Sequence, residues 1–381
     1  MKKLGIYIHI PFCVKKCAYC DFYSVKWDET REDKYIMTAI NEIESYSELQ
    51  DEYIVDTVFI GGGTPSIIEP QNIEELIASI KNTFIMEENA EISMEANPNT
   101  LNTKKLNAYK SIGINRLSIG IQSLNDNILK TLGRIHNSKE ALEVIEKAKY
   151  CGFENINADV MFNMPGQTIH DIDYTINELT EESIKHISFY SLKLEKGTPM
   201  YLSEKNKEIT MPDEDDEREM YYAGRNIMEK HNLMQYEISN FAMKGYECRH
   251  NLKYWNQEEY IGIGPSAHSF LGNTRFSNPS ELKKYILSGE RKAFEIKAFE
   301  RKIREVMNEN EMIFEYIMLQ LRLTQGLKFA EFKNKFSKDF KEIYKEQIEK
   351  LLENGLIKLD DEGIRLTKRG MDLSNYVFAQ F

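Results

Sequence analysis

Cysteine is scarce in this 381-residue chain, with five in all, and tryptophan scarcer still at two. An odd cysteine count without secretory features argues against a disulfide framework. It points to a reducing, cytoplasmic setting in which clustered thiols serve metal or redox chemistry. No run of about 18 apolar residues occurs, so no membrane span is expected. The opening MKKLGIYIHIPF resembles a leader only superficially. Its apolar stretch is short, holds His9 and Pro11, and runs into cysteines instead of a small-residue cleavage site, so it reads as a first strand. Basic excess is missing too: 49 Lys and Arg against 61 Asp and Glu give a net charge of -12, which opposes a polyanionic partner and argues against nucleic acid. Repeats and low-complexity tracts are absent, while the 41% hydrophobic content suffices for a packed core.

What the chain does have is alternation. GIYIHI, DTVFIGG, EISMEAN, NRLSIGIQ, ENINADVMF and KHISFYSLKL read as strands. Between them lie stretches such as NIEELIASIKNTF and KEALEVIEKAKYCG with apolar residues at helical spacing. Six βα units predict a parallel sheet with helices outside, an α/β fold in the form of a partial (β/α)6 barrel of the TIM type. In such barrels chemistry gathers where strands end. Here the strand ends deliver cysteines, then Gly61-Gly62-Gly63-Thr64-Pro65-Ser66, Glu95, Gln122 and Asp159.

Residues 1–240 are assigned to this barrel. Within them PDEDDEREMYY reads as a helix start with acidic residues suited to the dipole. Residues 241–300 form an aromatic and Gly-rich connecting segment, read as irregular. Residues 301–381 turn to charged helices followed by a hairpin at Asp-Asp-Glu-Gly, suggesting a winged-helix-like C-terminal α+β domain.

Three of the five cysteines, Cys13, Cys17 and Cys20, fall within YIHIPFCVKKCAYCDF. Structural zinc wants four Cys or His ligands, and His9 is the one neighbour able to complete such a set. A 4Fe-4S cluster explains three thiolates better, since it leaves one iron open to an outside ligand.

C-x3-C-x2-C after the first strand, with Tyr19 before the last cysteine, and GGGTPS after the second resemble the radical S-adenosylmethionine (SAM) superfamily. YIHIPFC, GGGTPS, SIGIQS, NADVMFNMPGQT and QYEISNFA further resemble its oxygen-independent coproporphyrinogen III oxidase-like proteins. The resemblance implies a 4Fe-4S cluster on Cys13, Cys17 and Cys20. It also implies SAM contacts at Tyr7, Tyr19, Gly62, Gly63, Thr64, Glu95, Gln122, Arg134 and Asp159. The residue types suit that ligand: glycines admit close backbone approach, Glu95 can accept from an amine or ribose hydroxyl, and Arg134 offers a planar fork to a carboxylate.

Two departures separate the chain from the oxidase pattern. Phe22 stands where the oxidase carries a further cysteine, and the chain starts at the first strand without the oxidase's N-terminal extension. Decarboxylation of coproporphyrinogen is therefore not expected. In addition, His250-Asn251-x-x-Tyr254-Trp255 resembles the H-N-x-x-Y-W signature of the haem-chaperone branch. This implies haem as a further cofactor, with His250 as iron ligand and Tyr254 and Trp255 as flat surfaces for the macrocycle. Acceptor haemoproteins, including membrane-associated ones, and an electron donor such as a flavodoxin or ferredoxin are the partners implied. Cys248 reads as a buried thiol, and His268 as a second candidate ligand. A haem-transfer protein and a radical SAM enzyme acting on a tetrapyrrole both stay open at this stage.

Overall fold

The computed structural model describes residues 1–290, 299 and 301–381. Six parallel strands form its centre: β1 (Lys2–Ile10), β2 (Tyr53–Gly62), β3 (Ile85–Ala96), β4 (Arg116–Gln122), β5 (Asn155–Phe162) and β6 (His186–Ser191). These are the six runs expected from the sequence, side by side in chain order. Their apolar content follows from being covered on both faces, as parallel strands are. Every residue of β4 is buried. The outer layer is α1 (Glu29–Glu44), α2 (Pro70–Thr83), α3 (Thr103–Ile112), α4 (Asp126–Thr131), α5 (Ser138–Tyr150) and α6 (Ile169–Glu181). Local chemistry fixes where these begin: Asn137 with Glu140 and Thr168 with Asp171 form capping boxes at α5 and α6. Beyond β6 come α7 (Pro199–Lys205) and α8 (Glu214–Lys230). The α8 N-cap Asp213 accepts from two backbone N–H groups, as the acidic run anticipated.

The segment read as irregular is largely ordered, and this corrects the sequence reading. After β7 (Met234–Gln235) and β8 (Asn240–Ala242), it forms α9 (Arg249–Trp255), β9 (Tyr260–Ile263), β10 (His268–Leu271), β11 (Thr274–Ser277) and α10 (Leu282–Glu290). With β12 (Lys302–Val306) the sheet reaches 12 strands in the order β12-β11-β10-β9-β1-β2-β3-β4-β5-β6-β8-β7. β9 lies parallel to β1 while the outer strands run antiparallel, and both ends stay open, so the barrel is partial. Strands of two to four residues carry too little periodicity to be recognised. The last part of the 241–300 assignment falls outside the described residues.

A separate core organises the C-terminal domain, built on Ile317, Leu327, Phe332, Leu351 and Ile364. It comprises α11 (Glu309–Gln320), β13 (Leu327–Lys328), α12 (Phe329–Phe336), α13 (Lys345–Glu353), β14 (Ile357–Leu359) and β15 (Gly363–Leu366). β14 and β15 form the expected hairpin, whose turn is held by Asp360 accepting from the Glu362 and Gly363 amides at 3.0 Å each. Among the described residues no helix is long and apolar enough to cross a membrane.

Candidate functional site

The loop leaving β1 carries Cys13, Cys17 and Cys20, all free and half-buried. It is anchored at both sides: the Ala18 amide donates to the Leu132 carbonyl at 3.0 Å, and the Met200 amide to the Ala18 carbonyl at 2.9 Å. Two neighbouring donors reach the sulfurs. The Thr64 hydroxyl lies 3.5 Å from Cys13 Sγ, and the Arg134 guanidinium 3.7 Å from Cys17 Sγ. Hydrogen-bond donors and a cation are what three thiolates on iron require around them, so this pocket fits the cluster. The His9 ring nitrogens meet the Tyr7 hydroxyl and the Tyr23 carbonyl.

The glycine run that ends β2 tucks beneath this loop. A Cβ at Gly63 would come within 2.5 Å of the Phe12 carbonyl oxygen, while the Gly63 and Thr64 amides donate to Ile10 and Phe12 at 2.8 Å. Gly62 adopts a φ of 109° and its amide donates to Glu95 at 3.0 Å. Across the mouth Arg134 donates to Asn97 and to the Gly120 carbonyl, with Tyr19 close enough to feel its charge. Gln122, in a left-handed conformation, accepts from Tyr190 at 2.9 Å. The structure thus gathers the cysteines, Tyr19, Gly62, Gly63, Thr64, Gln122 and Arg134 at one rim.

Tyr7, Glu95 and Asp159 reach deeper. They line a chamber of about 190 Å3 inside the barrel, together with Arg116, Ser118, Ser188 and Phe59. Asp159 accepts from Asn157 at 2.7 Å and from Ser118, and burial raises its pKa. Burial and the neighbouring Asp159 push the Glu95 carboxyl up to about 8. Arg116 is fully buried, with its Nε unpartnered among the described residues. Sequence reasoning missed Arg116, although its alternation with Ser118 in RLSIG was a usable signal.

His250, Asn251 and Tyr254 line the same chamber from α9. This helix is held from outside its own sequence: the Glu91 carboxylate of β3 accepts from the Arg249 amide at 2.9 Å and the His250 amide at 3.1 Å. Cys248 also points at Glu91, and burial pushes its thiol up to about 12, so it is an inert core thiol. Lys253 anchors the far side through a buried pair with Asp56 at 2.8 Å. His250 is 1% exposed, stacks on Phe59, and hydrogen-bonds at both nitrogens, with Thr57 and with Tyr254. Trp255 is not part of this surface. As a sequence neighbour of Tyr254 it points elsewhere, toward the Arg322 guanidinium of the C-terminal domain. His268 lies on β10, exposed and apart from these groups.

The Radical SAM superfamily profile matches residues 7–179, and the HemN C-terminal domain profile residues 307–373. The protein named Heme chaperone HemW of Bacillus subtilis is 36% identical over 98% of both chains. Its namesake in Lactococcus lactis is 34% identical over all of this chain and 97% of its own. The chain belongs to the HemW family. A solved structure of coproporphyrinogen III oxidase (HemN) from Escherichia coli superposes with a TM-score of 0.84, covering 100% of this chain and 90% of that one. At 21% identity this likeness shows the fold alone. For a HemW-family chain, the placement of His250 and Tyr254 against Glu95 and Asp159 is the central observation, since it joins the two halves of the site in one chamber.

Proposed function

We propose that this chain is a haem chaperone that binds haem and passes it to acceptor haemoproteins, and that it carries a SAM-coordinated 4Fe-4S cluster. Cys13, Cys17 and Cys20 would hold the cluster. Tyr7, Tyr19, Gly62, Gly63, Thr64, Glu95, Gln122, Arg134 and Asp159 would contact SAM. When bound, cluster and SAM supply one-electron chemistry; the protein positions and shields them. His250 is the residue assigned to haem iron, with Tyr254 beside it; Trp255, expected to join them, faces Arg322 instead. The observation that carries this reading is His250 held on α9 at the chamber that Glu95 and Asp159 line, in a chain that matches proteins named heme chaperone over 98% of its length. Membrane-bound acceptors and an electron donor such as a flavodoxin or ferredoxin belong to the proposal as partners.

The donor chemistry fits haem, but the present volume does not. A chamber of about 190 Å3 is smaller than the ~300–1,000 Å3 of pockets that enclose drug-sized ligands. Haemin titration of the anaerobically reconstituted protein and of His250→Ala tests the reading. Saturation near one haem in the former and loss in the latter is expected; absence of saturation in the unaltered protein would sink it.

A second reading, a radical SAM enzyme acting on a tetrapyrrole, is favoured by one feature: the carboxyls of Glu95 and Asp159 with the buried Arg116 guanidinium in the same chamber. Reduced protein incubated with SAM and coproporphyrinogen decides it, since protoporphyrinogen formation would reverse the preference.

A further inference from the structure

Where α8 meets the C-terminal domain, both turn positive charge toward one cleft. Its volume is about 370 Å3, within the ~300–1,000 Å3 of pockets that hold small ligands. Lys358 of β14 and Arg365 of β15 are direct cross-strand partners. Their side chains therefore share one face of the hairpin, opposite the face on which Ile357, Ile364 and Leu366 enter the domain core. Like charges placed opposite each other destabilise a strand pair. Arg225 of α8 and Lys368, which opens the short helix Lys368–Asp372, complete the cations of the cleft. Carboxylates offset part of this charge: Glu229 pairs with Arg225 at 2.8 Å and Asp360 with Arg365 at 2.6 Å, while Asp372 accepts from the Tyr222 hydroxyl at 2.7 Å. Lys358 and Lys368 are left over. Among the described residues neither ammonium has an ion pair or a hydrogen bond, and Lys368 lies over the Tyr222 ring at 3.6 Å. On a chain of net charge -12, this cleft runs against the general field.

We propose that this cleft binds a phosphate-type oxyanion, whether inorganic phosphate, pyrophosphate or the phosphates of a nucleotide, and that the bound anion ties α8 to the C-terminal hairpin. Two uncompensated ammonium groups match a dianion, whereas a single carboxylate would neutralise only one of them. Arg225 bonds its carboxylate through Nε and Arg365 through one terminal nitrogen, so each keeps N–H groups for phosphate oxygens. An anion beside Lys358 and Arg365 also relieves their mutual repulsion, and a ligand that binds only the folded chain stabilises it by mass action. The cleft shares no lining residue with the chamber of Glu95 and Asp159, so the proposal stands independently of the haem reading.

Titration calorimetry and thermal unfolding of the full chain test this, with sodium chloride of matched ionic strength as the control. Pyrophosphate should bind and should raise the Tm by a few degrees above that control at large excess. Lys358→Gln and Lys368→Gln change exposed side chains. Each should lower pyrophosphate affinity roughly tenfold or more, the worth of one charge-assisted hydrogen bond. The Tm of Lys358→Gln without ligand should be no lower than that of the unaltered chain, since a like-charge pair is removed. Lys104→Gln, at an exposed position of α3, should leave affinity unchanged. Equal affinity for pyrophosphate and ATP supports a site that reads phosphate alone, and tighter ATP supports one that reads the nucleoside too. Succinate bound as tightly as pyrophosphate would overturn the phosphate class. No binding beyond the chloride control, unchanged affinity in both cleft variants, or an equal loss in Lys104→Gln would reduce the cleft to general attraction and overturn the site.

Discussion

Single residues at this site show where chemistry overrides solubility. Glu95 is a carboxyl held protonated near neutral pH by burial and by Asp159. Its folded pKa of about 8 stands above an unfolded value of about 4.3, so the folded chain binds this proton more tightly. The stability it contributes is full below pH ~4 and is lost as pH climbs toward 8. Urea midpoints of the cluster-free protein should fall over that interval, and Glu95→Gln should flatten the fall. A cationic ligand beside Glu95 favours the carboxylate, so SAM affinity should rise with pH up to about 8, measurable by calorimetry. Cys17→Ala should remove the iron-sulfur absorbance; unchanged iron content would count against the cluster assignment. Cys13, Gly63 and Glu95 were legible in the sequence because their spacing and their place at strand ends declare them. Glu91 and Arg116 were not, because each acquires meaning only from partners that the fold brings from other strands.

Elements matter here through how they are anchored. α9 is seven residues long, too short to be stable alone, and its first turn is completed by Glu91 from a different strand. Glu91 also bears on the buried charge of Arg116. Glu91→Ala should therefore cost about 1–3 kcal/mol by leaving the Arg249 and His250 amides unsatisfied. Haemin affinity should fall with it while iron content stays constant, since the cysteine loop does not depend on α9. β1 bears on the same helix: a Cβ at Gly5 would meet Lys253 Cδ at 2.9 Å and His250 Cε1 at 3.3 Å. The six central strands and their helices were readable because long, both-face-apolar runs alternate with helical spacing. β9 to β11 were not, because their pairing decides them more than their composition.

At the scale of the whole molecule, α9 is wedged between barrel and C-terminal domain. The Gln320 amide of α11 donates to the Trp255 carbonyl and to Asn256, both at 3.0 Å, and Gln257 returns a bond to the Met312 carbonyl. Gln320→Ala should cost about 1–3 kcal/mol by leaving that carbonyl unsatisfied. Hydrogen exchange should quicken along α9 without quickening in β4; uniform protection would show that the domain contact does not brace the helix. The hairpin of this domain was visible in its turn, but its grip on α9 was not, since the two lie more than 60 residues apart.

The strand order also sets a timetable for synthesis. β1 is among the first elements made, yet one of its edges pairs only with β9, which ends at Ile263. At ~5–20 residues per second, that edge waits roughly 10–50 s for its partner. The cysteine loop waits as well, for Thr64 and then Arg134. Iron acquired before Arg134 emerges would meet three thiols on an unfinished ribbon, so productive metallation is expected only once that residue and the central seam are in place.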